Sequence, residues 1–147
     1  MTQPDLGRAR SLVDLAREAE QRGDAVRSLR LYDDALALLS DETDLPFLAD
    51  TLRWKGTLHR EQGETELAYR CYKQSLVHAD SCGSLNAQAA GYNCLAIIAQ
   101  RRGHLNESER LYAQASDLAA KAGDVRLLSM IEQNLGCLLY TSPSPRD

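Results

Sequence analysis

Large flat side chains are scarce in this chain of 147 residues. Aromatics make up 5% of positions, with a single Trp and a single Phe. That is too little for the core of an aromatic β-sandwich. Basic charge is not in excess either. Seventeen Lys and Arg stand against 21 Asp and Glu, a formal net charge of −4. A nucleic-acid footprint, which needs a basic excess or a basic face, is therefore not expected. No apolar run approaches the ~20 residues that span a bilayer. Residues 1–10 are polar and do not read as a signal peptide, so a cytoplasmic chain with no membrane contact is expected. Hydrophobic residues at 44% and charged residues at 26% exclude a disordered composition. Fourteen of the 17 basic residues are Arg, which hints at a high-GC genome.

Chemistry-bearing clusters are missing as well. Four Cys, at 71, 82, 94 and 137, lack the close pairs of a zinc site, and in a cytosolic chain they stay reduced. Cys71 and Cys94 adjoin apolar residues and read as small buried hydrophobes. Cys82 reads as a free thiol in the loop Ser81-Cys82-Gly83. His59, His78 and His104 are scattered, with no second ligand at metal-binding spacing. The acidic run Asp41-Glu42-Thr43-Asp44 lacks the glycine and closing glutamate of a calcium loop and reads as a capping loop. Asp33-Asp34 reads as a solvated pair on a helix. No phosphate loop, dinucleotide glycine pattern or Ser/His/Asp order occurs. No catalytic residue, metal ligand or cofactor is expected, and the chain is not read as an enzyme.

What is present is an internal repeat. Tyr32, Tyr72 and Tyr112 stand 40 residues apart, each two positions after an Arg. Gly23, Gly63 and Gly103 share that spacing. So do Ser28, Ala68 and Ser108, then Ala35, Ser75 and Ala115, and then Gly56, Ala96 and Gly136. Apolar residues at helical spacing flank each turn glycine, so each repeat reads as two helices with a glycine between them. Asp24 is placed to cap the helix after Gly23, and Pro46 suits a first helical turn. Gly83 and Gly123 fit positions just past a helix end. The small residues answer a steric need, since helices crossing at 8–10 Å or so leave no room for large side chains. The tyrosine fills the space between one repeat and the next, with its hydroxyl near the edge.

These columns resemble those of the tetratricopeptide repeat family. The pattern is Leu15-Ala16, Gly23, Ser28, Tyr32, Ala35 in the first repeat. It recurs as Gly56, Gly63, Ala68, Tyr72, Ser75, and as Leu95-Ala96, Gly103, Ser108, Tyr112, Ala115. The 40-residue period is similar to the longer-helix variety of that family. Lys55, where the pattern has a leucine, is a departure. The resemblance implies an all-α, right-handed α-solenoid of antiparallel helix pairs, with about seven helices. Repeats are expected at 8–43, 44–83 and 84–123, with a partial fourth at 124–136. The last eleven residues, 137–147, resemble the translation of a transposon-end adapter used in sequencing-library preparation. They are expected to be non-native, which would cut the protein inside its fourth repeat. The final helix then lacks a partner, and self-association through this uncapped end is expected.

The resemblance also implies that the first helices of the repeats line a concave groove for a peptide or a helix of a partner protein. Projection of the helical period places Arg17, Arg53, Thr57, Asn93, Ile97 and Gln133 on that face. Arg10, Arg60, Gln100 and Arg101 lie nearby. Arg and amide side chains there suit a peptide backbone or carboxylate. A plain solvated face accounts for the same residues. The Lys/Asn clamp of chaperone-tail-binding relatives is not present as a set. Trp54 is read as packing between repeats rather than as an exposed anchor. The expected activity is protein–protein interaction as a scaffold. The alternative is a regulatory or sensor segment of a larger bacterial signalling protein or transcription regulator whose effector domain lies elsewhere.

Overall fold

The structure is a computed structural model that describes residues 3–39 and 44–141. The described residues form seven α-helices and no strand. They are α1 (Gln3–Gln21), α2 (Ala25–Leu38), α3 (Leu45–Glu61), α4 (Thr65–Cys82), α5 (Leu85–Arg101), α6 (Leu105–Ala122) and α7 (Val125–Thr141). The chain divides into two compact units, Met1–Cys82 and Gly83–Asp147. In the first, α1 packs on α2 and α3 on α4, with α2 also against α3. In the second, α5 packs on α6, and α7 lies mainly against α6.

The turns follow from the glycine column. Gly23, Gly63 and Gly103 sit at φ of 80°, 81° and 79°, a region that costs an L-side chain ~1–2 kcal/mol. At each, the glycine N–H bonds back three residues and the following N–H bonds back five, as in Gly63 to Arg60 and Glu64 to His59. This pattern satisfies the last carbonyls of the preceding helix. Aspartate side chains cap α2 and α3, whereas His104 makes no such bond at the start of α6. The Asp24 carboxylate accepts from Arg27 N at 3.1 Å, and Asp44 accepts from Phe47 N at 3.1 Å. Pro46 stands in the first turn of α3. Of the acidic run, residues 41–43 lie outside the described residues, and Asp44 is the cap.

The small-residue columns let each hairpin close. Ser28 and Ser108 are fully buried, and each hydroxyl donates to a carbonyl twelve residues earlier, Ala16 O and Ala96 O, at 2.8 Å. A Cβ added to Gly56 would come within 2.8 Å of the Tyr72 ring. The rings of Tyr32, Tyr72 and Tyr112 are buried. Tyr32 shares a cluster with Leu48 and Leu52 of the following hairpin, and Tyr112 with Ile131 and Leu138 of α7. Each hydroxyl bonds a side chain on the first helix of its own hairpin, because a buried phenol must find a polar partner.

Two expectations are corrected. Cys82 is not in a loop but is the last residue of α4, where Gly83 (φ 67°) ends the helix. Asp33 is not merely solvated, since Lys55 Nζ lies 2.8 Å from its carboxylate and ties α3 to α2. The departure at Lys55 thus gains an ionic role in place of an apolar one. His59 is buried, with its Nδ1 3.1 Å from Glu64 Oε1 across the α3–α4 turn. No helix among the described residues is long and apolar enough to cross a membrane.

Candidate peptide-binding faces

In the first unit the candidate residues gather around Trp54. The Arg17 guanidinium from α1 lies 4.4 Å from the indole centroid, and that of Arg53, one residue before Trp54 on α3, lies at 5.8 Å. A guanidinium over an indole face is attracted by the ring quadrupole and still presents donors outward. Arg53 is half-buried and pairs with Asp50 at 2.8 Å. Trp54 is partly buried against the first unit's core, as its packing role requires, and it also forms the platform for Arg17.

Thr57 is engaged one turn further along α3. Its Oγ1 lies 2.8 Å from the Tyr72 hydroxyl, to which Arg60 donates at 3.2 Å. The Arg60 Nε is buried with no hydrogen-bond partner among the described residues. Arg10 stacks at 4.5 Å on Phe47 and donates to Asp44 at 2.7 Å. At the end of α1, Glu20 accepts from the Tyr32 hydroxyl at 2.7 Å. Burial raises the Glu20 carboxyl above its ordinary value. The Tyr32 bond pulls the other way, and the negative charge of Glu61 adds to the rise. Burial and the adjoining Glu20 likewise push the Tyr32 phenol far up.

In the second unit Asn93 is buried, and its Oδ1 accepts from Asn134 of α7 at 3.1 Å. Ile97 is half-buried and lines an open cavity of about 430 Å³ with Gln100, Arg101, Tyr112, Asn134 and Cys137. Gln100 accepts from the Tyr112 hydroxyl at 3.0 Å. Gln133 is exposed on α7 and does not line this cavity. The sequence reading missed Glu20 and Asn134 as members of these faces. Glu20 stands 40 residues before Arg60 and 80 before Gln100, so the column twelve residues before each tyrosine would have found it. Asn134 carried no such signal. Among the described residues no group of three or more His, Cys, Asp or Glu is placed to hold a metal ion.

No protein-family model matches the chain. Among curated proteins it is similar to tetratricopeptide repeat protein 8 of Mus musculus, 39% identical over 57 residues, and of Homo sapiens, 37% identical over 57 residues. The match covers 39% of this chain, and the chain spans about a tenth of those relatives, 10% and 9%. Among solved structures it resembles BtubC (BKLC) from P. vanneervenii, with a TM-score of 0.82 and 20% identity, over 95% of this chain and 57% of that one. The chain is thus an all-α, tetratricopeptide-like protein of helical hairpins. Likeness of this kind supports a general role as a protein-interaction scaffold.

Proposed function

We propose that the chain binds a peptide or helix of a partner protein along its first helices. The observation that carries this reading is the Arg17–Trp54–Arg53 stack on α1 and α3. The indole holds Arg17 in place while the guanidinium keeps outward donors, which lowers the entropy lost on gripping a backbone carbonyl or carboxylate. Asn93, Ile97 and Gln133 belong to the same reading in the second unit. The net charge of −4 favours a protein partner over nucleic acid. The setting we propose is the bacterial cytoplasm.

The test is to select binders from a displayed random peptide library on the parent chain and titrate them against Arg17→Glu. Binding at least tenfold weaker with an unchanged melting curve is expected. Undiminished binding with a lowered melting temperature would assign Arg17 to stability instead. The second reading is a regulatory segment of a larger signalling protein or transcription regulator. We also propose that 137–147 is the adapter-derived tail. The open reading frame at the source locus decides both points. An attached effector domain favours the regulatory reading, and natural codons across Cys137 to Asp147 overturn the adapter.

A further inference from the structure

One place in the repeat register is filled in the first unit and open in the second. In the first unit it holds the Arg17 guanidinium, which lies over Trp54. Arg17 is also close enough to the Glu20 carboxylate, the acceptor of Tyr32, to favour its charged form. Eighty residues on, the positions of Arg17, Trp54, Glu20 and Tyr32 hold Ile97, Asn134, Gln100 and Tyr112. Ile97 and Asn134 are shorter than the arginine and tryptophan they replace, and a cavity of about 430 Å³ stands there, lined from α5, α6 and α7. Its polar groups are held in place by neighbours. Asn134 donates from Nδ2 to the Oδ1 of buried Asn93 at 3.1 Å, which leaves the Asn134 Oδ1 as an acceptor. The Gln100 oxygen is engaged by the Tyr112 hydroxyl at 3.0 Å, which leaves its NH2 group as a donor. Ile97 supplies an apolar wall, and the exposed Arg101 adds a cation. Of the lining residues only Cys137 falls in the tail, and none of these hydrogen bonds uses it.

We propose that this cavity seats the primary carboxamide of a glutamine or asparagine side chain on a partner peptide. The seat rests on the reading that a partner runs along the first helices. A carboxamide is planar and carries both an acceptor and donors. Its oxygen accepts from the Gln100 NH2, its own NH2 donates to Asn134 Oδ1, and its methylenes lie on Ile97. The first unit supplies the precedent for the shape, since a planar hydrogen-bonding group, the Arg17 guanidinium, occupies the matching place. A guanidinium does not suit the second unit, where neutral Gln100 stands for Glu20 and Arg101 adds positive charge. A carboxylate satisfies Gln100 and Arg101 but sets its lone pairs against Asn134 Oδ1, which stays unpaired. An apolar side chain leaves both amides unpaired, and a site built on fixed polar groups rejects such an analogue strongly. Asn93 is 4% exposed and acts as a positioning residue, fixing which end of Asn134 faces the cavity.

The probe is N-acetyl-glutamine methylamide, titrated into the isotope-labelled full chain and followed by the side-chain NH2 signals of Gln100 and Asn134 in NMR. Saturable shifts of both signals are expected, with binding at least tenfold tighter than that of the glutamate and methionine analogues. Gln100→Glu removes the donor and keeps an acceptor for Tyr112, as Glu20 does for Tyr32. That variant stays folded, as its backbone amide spectrum will show, and binds the glutamine compound at least tenfold more weakly. Arg17→Glu and Cys137→Ala bind it as the parent does. Absence of saturable shifts, equal affinity for either analogue, undiminished binding by Gln100→Glu, or dependence on Cys137 overturns the proposal. Displayed peptides that depend on Arg17, with no glutamine compound bound, strike the carboxamide seat alone. A bound glutamine compound with no selectable peptide strikes the Arg17 reading alone.

Discussion

The three column tyrosines make one ring contact in three ionic settings. Tyr32 donates to a carboxylate, Tyr72 meets a threonine and an arginine, and Tyr112 donates to an amide. Packing selects the ring and tolerates any polar end that can reach it. The ring column was therefore legible in the sequence, and the partners of the hydroxyls were not. Glu20, Arg60 and Gln100 share a register but no chemistry. The Glu20 setting has a consequence for stability. Its carboxyl is raised in the fold by burial and by Glu61, so the folded state favours the protonated form. That stabilising contribution is full below the unfolded value and is lost as pH rises through the folded one. Glu20→Gln, the residue type found at Gln100, keeps an acceptor for Tyr32 and removes the ionisation. Thermal melts from pH 3.5 to 7 are expected to show the variant more stable near neutrality, with the difference vanishing below about pH 4.

The helices were readable from their ends as much as from their apolar faces. Glycine at φ near 80° and an aspartate cap frame α2, and both were visible as Gly23-Asp24. Replacement of that cap, Asp24→Ala, leaves an N–H of the first turn of α2 without its side-chain acceptor. A loss of about 1 kcal/mol in urea unfolding is expected, with an unchanged m-value. Boundaries were less legible where a turn is short. Cys82 reads as loop because it adjoins Gly83, yet a left-handed glycine needs no lead-in, and the helix runs up to it. Lys55 was legible only as a departure. Its meaning required the neighbouring helix, since Asp33 lies 22 residues away in the chain.

At the scale of the whole molecule, the repeat was legible, but the division after Cys82 was not. The 40-residue period runs through positions 56, 96 and 136 without a break. Each unit holds its own buried cluster, one around Tyr32 and one around Tyr112. Tyr112→Ala removes the largest side chain from the second cluster, at a cost of about 3–5 kcal/mol. Hydrogen exchange is expected to quicken across α5–α7 while the most protected amides of α1–α4 change little. Uniform loss of protection over all seven helices would show that the chain opens as one piece. Trp54 bears on how such events can be watched. It is the chain's one tryptophan, and it belongs to the first unit alone. Excitation at the indole band therefore yields light from a single address, clasped by a guanidinium from another helix. The protein carries its own optical reporter, rooted in the first unit.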